Sequence, residues 1–172
     1  MSAPTVHASA VQVGERAVLI RGPSGSGKSR LAFELILAGR SGQVPPAILV
    51  GDDRVRLDTS GGNLIVRPAA ELAGLIEIRG LGIRRIDHVS EAVVGLVVDL
   101  GADDAERLPA AEALTTLVAG VELPRIPVNL RFSPLPLIVA ALTTTSGTGA
   151  ARPSADCPKA IANHISPTIA TD

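Results

Sequence analysis

The chain has 172 residues, 46% of them apolar, with 16 Lys and Arg against 17 Asp and Glu and a net charge of −1. That length and apolar content suit one domain with a real core, and the near-neutral balance excludes a global basic field for nucleic acid or an anionic membrane. Two Phe, no Trp and no Tyr leave the core to Val, Leu, Ile and Ala, and the single Cys157 excludes a disulfide framework or a cysteine metal centre. In chain order, loose alternation over Thr5–Val13 and the turn Gly14-Glu15-Arg16 predict a strand pair with Ala17–Arg21. A helix is expected from Lys28 to Ala38, stopped at Gly39, then a loop over 40–46 and the strand Ala47–Val50. Arg54–Leu57 and Leu64–Val66 read as strands around the turn Thr59-Ser60-Gly61-Gly62-Asn63.

Pro68–Leu75 has the pattern of a short helix with proline in its first turn. A strand follows near Ile76–Ile78, and Val93–Leu100 is the most strand-like stretch of the second half. Residues 109–119 predict another short helix, and Ile126-Pro127-Val128 a strand at a sheet edge. Pro134 and Pro136 place any last helix after them. From Thr143 the composition turns to Thr, Ser, Gly, Pro and Asp, so one folded domain is expected over 1–142 and a disordered tail over 143–172. The start, Met1-Ser2-Ala3-Pro4, shows no signal-peptide pattern, and runs such as Ala92–Val98 are too short to span a membrane, so a cytoplasmic protein is expected.

One motif speaks to chemistry. Gly22-Pro23-Ser24-Gly25-Ser26-Gly27-Lys28-Ser29 is a complete GxxxxGKS phosphate loop between an apolar strand and a helix. Glycines let successive N–H groups converge on phosphate oxygens, and the helix N-terminus adds partial positive charge. Lys28 would neutralise the outer phosphates and the Ser29 hydroxyl would ligate Mg²⁺, so all eight residues are assigned to nucleoside triphosphate binding. Transfer also needs a carboxylate at the metal and a group to take the acceptor's proton. Two strand ends offer them: Asp52-Asp53 after Ile48–Gly51, and Asp99 after Leu96–Val98 with Asp103 and Asp104 beyond. Adjacent carboxylates raise one pKa unless a cation relieves them, which suits a metal ligand beside a base. The plain alternative is a polar turn with Arg54.

Taken together, His7, the loop Gly22–Ser29, Val50-Gly51-Asp52-Asp53-Arg54-Val55 and Glu77-Ile78-Arg79-Gly80-Leu81-Gly82-Ile83 resemble the catalytic domain of the HPr kinase/phosphorylase family. The last string is the most specific, and the likeness covers residues 5–86. It implies an α/β fold of the P-loop HPr kinase/PEP carboxykinase type, with a mixed central sheet and flanking helices. It implies ATP and Mg²⁺ as cofactors, an HPr-type phosphocarrier as the protein substrate, transfer to a serine and its reversal, and a homo-oligomer. By the same resemblance Asp53, with Asp52 as partner, is the base, His7 polarises it, and Arg79 faces the transferring phosphoryl group beside Lys28. Glu77 joins Ser29 and Asp53 at the metal. The chain would be the short form seen in alpha-proteobacteria. It departs from the family at Arg30, where an acidic residue is usual, at the longer loop Ser41–Pro46, and in the weakly matched region around Arg125 and Arg131. Other readings are a small-molecule P-loop kinase, for whose arginine-rich lid only Arg84-Arg85 is a candidate, and a nucleotide-binding regulatory module. A GTPase is disfavoured because no Asn-Lys-x-Asp string occurs.

Overall fold

The computed structural model describes residues 5–147. In chain order its elements are β1 (Thr5–Val6), β2 (Ser9–Val13), β3 (Arg16–Arg21), α1 (Lys28–Arg40), β4 (Ala47–Gly51), β5 (Val55–Ser60) and β6 (Asn63–Pro68). Then come β7 (Leu75–Ile78), β8 (Gly82–Arg85), β9 (Ala92–Leu100), β10 (Thr115–Val118), β11 (Val121–Val128) and α2 (Leu135–Thr143). The main sheet runs β1-β5-β6-β9-β3-β2-β4, and β11 adds to β9 while carrying β10 on its other end. β9 is parallel to β3 and β11, and the remaining pairs are antiparallel. This is the mixed α/β sheet expected from the sequence.

The nine residues of β9 organise the sheet, as a long aliphatic run buried on both faces should. Its first two residues pair with β6 and its last four with β11, so the sheet forks along one edge of this strand. One face carries Val11, Val18, Ile20, Leu49, Leu96 and Val98 against Leu31, Leu35 and Ile36 of α1 and Ile138 of α2. The other gathers Leu19, Val50, Val55, Leu64, Val66, Val97 and Leu123, closed by the curl of the sheet instead of by helices. Both helices therefore flank a single face. Each fully buried leucine contributes about 2 kcal/mol of transfer free energy.

Several boundaries differ from expectation, each for a local reason. α1 passes through Gly39 and ends at Arg40, because Gly42, at φ 75°, is the left-handed residue. Gln43 N–H bonds the Ala38 carbonyl at 2.9 Å and Gly42 N–H that of Gly39 at 3.3 Å, a Schellman closure. Gly39 has another duty: a Cβ there would stand 2.6 Å from Ala47 N, so only glycine lets the helix lie this close to β4. Thr5–Val6 does not continue β2 but crosses to pair with β5. The helix expected over 68–75 shrinks to a 3-10 turn, Ala70–Leu72, since Leu75 is already paired in β7.

The helix expected over 109–119 is likewise a 3-10 turn, Ala111–Leu114, followed by β10. There Thr115 and Thr116 favour the strand and the Ala119-Gly120 turn closes a hairpin onto β11. Pro127 does sit where β11 edges β9. α2 begins between the two prolines, with Pro136 in the first turn, where its missing N–H costs nothing. The helix reaches Thr143, and most of the tail expected over 143–172, with Cys157, lies outside the described residues. No helix among the described residues is long and apolar enough to cross a membrane.

Candidate active site

The phosphate loop leaves the C-terminal end of β3, beside the C-terminal end of the parallel β9, where ligands of open α/β sheets bind. Gly22 is confined: a Cβ would meet the Leu100 carbonyl at 2.8 Å and Ser26 Oγ at 2.7 Å. Lys28 opens α1 and is only 6% exposed. Its Nζ donates to the carbonyls of Gly22 at 2.9 Å and Pro23 at 3.0 Å, folding the ammonium over the loop. Burial pulls the Lys28 pKa below the ordinary lysine value, while the nearby charges of Asp53 and Asp52 pull it back up. Ser29 lies in the same first turn. Arg30 points outward and pairs with Glu34 one turn along, at 2.8 Å and 80% exposed.

The two aspartates occupy different environments. Asp52 is 3% exposed. It accepts Ser9 Oγ from β2 at 2.6 Å and the backbone N–H of Glu77 from β7 at 3.1 Å, so both oxygens are engaged. Asp53 is held outward by a γ-turn: Arg54 N–H bonds the Asp52 carbonyl at 2.7 Å, and Asp53 takes a φ of 64°. A non-glycine residue in that region is strained by about 1–3 kcal/mol and tends to mark a functional position. The pairing of Val6 with Val55 brings His7 alongside, and its Nε2 lies 3.3 Å from Asp53 Oδ1, with the aspartate side chain 60% exposed. Thr5, His7, Ser24, Asp53 and Arg54 line a cleft of about 510 Å³. Asp53, His7 and the loop thus meet at one opening.

The Glu77–Ile83 string folds as the β7–β8 hairpin. Glu77 is anchored to the site through its N–H on Asp52, with its side chain exposed. Arg79 sits at the exposed tip, where Leu81 N–H closes onto the Ile78 carbonyl, and none of the described hydrogen bonds or ion pairs joins it to the loop or to Asp53. Among the described residues no three His, Cys, Asp or Glu gather as a ready-made metal cage. The donors present are hard oxygens, the Ser29 hydroxyl with the Asp53 and Glu77 carboxylates. Mg²⁺ needs only one or two protein carboxylates beside substrate phosphates, so this set fits it.

Sequence reasoning left Asp99 as a second candidate carboxylate, and the structure commits it elsewhere. Arg21 donates to both its oxygens, at 2.6 and 2.7 Å, and Arg125 to one at 2.5 Å. Arg125 also holds Asp104 at 2.6 Å. Burial pushes the Asp99 pKa up, yet the hydrogen bonds from Arg21 and Arg125 outweigh it and keep it below the usual carboxylate value. Ser9 belongs to no motif in the sequence; it is the one hydroxyl of β2 and is fully buried there.

Comparison with known proteins identifies the family of the chain. The family profile described as HPr Serine kinase C-terminal domain matches residues 1–134. The HPr kinase/phosphorylase of Prosthecochloris aestuarii is 32% identical over 137 residues, which is 72% of this chain and 38% of that protein. That of Neisseria meningitidis serogroup B is 33% identical over 141 residues, 77% of this chain and 41% of the relative. This chain thus spans about two fifths of the length of these curated relatives. The structure of the Hpr(Ser) kinase/phosphatase from Coxiella burnetii superposes with a TM-score of 0.64 at 28% identity, covering 81% of this chain and 93% of that one. With the profile spanning the sheet, the loop and the aspartate pair, the chain belongs to the HPr serine kinase C-terminal domain family.

Proposed function

We propose that this domain is a P-loop kinase of the HPr kinase/PEP carboxykinase type, which uses ATP and Mg²⁺ to phosphorylate a serine of an HPr-type phosphocarrier. The observation that carries the reading is the exposed Asp53 on its γ-turn, beside His7 and across a shared cleft from Ser24 of the phosphate loop. Phosphoryl transfer asks a protein chiefly for position and charge stabilisation. The loop amides and Lys28 hold the phosphates. Asp53 accepts the serine proton as the hydroxyl attacks, and in the reverse direction returns it to the phosphoserine oxygen. His7 orients that carboxylate, and Asp52 fixes the turn from below. Arg79 would reach the phosphoryl group only with the carrier bound, from the hairpin tip. Ser29, Glu77 and Asp53 would hold Mg²⁺, which when bound supplies charge neutralisation at the outer phosphates.

The carrier is a partner by the same proposal, and a homo-oligomer and a cytoplasmic location go with it. The test is incubation with labelled ATP, Mg²⁺ and HPr-type carriers, scored for acid-stable phosphoserine. The expected result is label on the carrier, lost in Lys28→Ala and Asp53→Asn. ATP binding without transfer to any carrier would instead support a regulatory nucleotide-binding module, and transfer to a sugar or sugar acid a small-molecule kinase.

A further inference from the structure

The phosphate loop separates two clefts. On one side is the opening shared by His7, Ser24 and Asp53. On the other, a cavity of about 270 Å³ lies between the start of α1 and the segment joining β11 to α2, lined by Ser26, Gly27, Arg30, Leu130, Phe132 and Pro134 among others. A triphosphate laid along the loop has a reacting end and a nucleoside end. If the reacting end faces Asp53, the nucleoside must leave towards the second cleft.

The chemistry of that cleft matches what would arrive. Phe132 is 69% exposed and Leu130 57% exposed, so its rim is an aromatic face beside an aliphatic one. The chain has two Phe and no Trp or Tyr, and the other, Phe33, packs against the core, leaving Phe132 as the free ring among the described residues. Ser26 Oγ is buried with no hydrogen-bond partner among the described residues. Arg30 puts a guanidinium at the mouth, where the inner phosphate and ribose would pass, held by its pair with Glu34. A purine offers a π-face to such a ring, and stacking of this kind accepts any base.

We infer that this cleft is the nucleoside subsite and that Phe132 stacks on the base of the bound nucleotide. The inference rests on the triphosphate reading of Gly22–Ser29 and goes on to name where the rest of the ligand binds. The arrangement separates the two halves of the ligand: the loop holds phosphates of any kind, and Phe132 acts only on ligands that carry a base.

The test measures binding of ATP and of inorganic tripolyphosphate, each with Mg²⁺, to the full chain and its variants. Phe132→Ala is expected to weaken ATP about tenfold and to leave tripolyphosphate unchanged, with Phe132→Tyr restoring ATP binding. Phe132→Trp gives the chain its single indole, whose emission should change with ATP and stay unchanged with tripolyphosphate. Unaltered ATP affinity in Phe132→Ala, with no emission change in Phe132→Trp, would overturn the inference. So would equal losses for both ligands, or a higher KM for the phosphoacceptor at unchanged ATP affinity, which would make Phe132 a protein-docking residue. If the unmodified chain binds ATP and tripolyphosphate while Phe132 proves idle, the subsite alone falls. If it binds neither, the triphosphate reading falls and the subsite with it.

Discussion

Asp52→Ala and Asp53→Asn, made side by side, separate a carboxylate that holds the fold from the one proposed as the base. Asp52 is 3% exposed and accepts two buried donors, Ser9 Oγ at 2.6 Å and Glu77 N–H at 3.1 Å. Hydrogen bonds to a charged group contribute about 1.5–3 kcal/mol each, and removing the acceptor strands two donors out of water. After relaxation we expect a loss of about 3 kcal/mol, which for a domain of this length lowers Tm by roughly 6–12 °C. Asp53 offers the opposite case. Its carboxylate is 60% exposed, and its one described ion pair, with His7 at 3.3 Å, is open to water. Asparagine tolerates the left-handed φ as well as aspartate does, so Asp53→Asn should stay within about 0.5 kcal/mol of the parent. Phosphotransfer should nevertheless fall to background in Asp53→Asn, with ATP affinity nearly intact. Thermal melts followed by circular dichroism, beside a transfer assay at a temperature where both variants are folded, read the two effects. A stable Asp52→Ala, or an Asp53→Asn that melts early, would refute the division of labour; loss of ATP binding in Asp53→Asn would make that residue chiefly a metal ligand.

Acid should expose the Arg21–Asp99–Arg125 cluster. The folded Asp99 pKa is depressed, so its contribution is fully present above the unfolded value of about 4 and is lost as pH falls through the lower folded value. Asp99→Asn should cost about 2–4 kcal/mol at pH 7 and flatten the fall in Tm below pH 4, measured by melts across a pH series. Gly39→Ala would ordinarily favour a helix interior, but here its Cβ would lie 2.6 Å from Ala47 N. We expect a destabilisation of about 1–3 kcal/mol by urea unfolding, where a gain would show that α1 can shift off β4. Arg30→Ala removes an exposed i,i+4 pair and should change stability by less than about 0.5 kcal/mol in the same assay.

The loop, α1 and the aliphatic strands were legible because their signals are local: glycine spacing, 3.6-residue periodicity and runs such as Val93–Leu100. The aspartate pair was legible as a pair, but its division was not. Only the crossing of β1 to β5 brings His7 to Asp53, and only the convergence of β2 and β7 on Asp52 gives that residue its partners. The two failed helices share a cause. Pro68–Leu75 and residues 109–119 have helix-compatible composition, yet each runs into the first strand of a tight hairpin, β7–β8 for one and β10–β11 for the other. Pairing of that kind overrides local preference and leaves no periodic trace. Gly39 is ambiguous for a related reason: a glycine near a helix end looks the same in sequence whether it turns the chain or clears a neighbouring strand.

The fate of Asp99 explains why the proposed site draws its base from a turn between antiparallel-paired strands instead of from the end of β9. Asp99 stands in register with Arg21, the residue directly before the loop, and Arg125 closes on it from β11. Two guanidiniums saturate its oxygens, so it has none free for a cation. What it supplies is rigidity. The cluster ties the end of β3 to its parallel neighbour β9 and to β11 at the point where the loop springs from β3, and a loop that must converge its amides on phosphate gains from a fixed origin. With β9 so engaged, the other carboxylate pair follows β4, which pairs with β2 next to β3. Asp52 is spent there on anchoring β7, and that leaves Asp53, held outward at the cost of its backbone strain, as the carboxylate open to the proposed role of base. Release of that strain by Asp53→Gly should therefore raise stability slightly while removing transfer, and a variant that kept transfer would place the base elsewhere in the cleft.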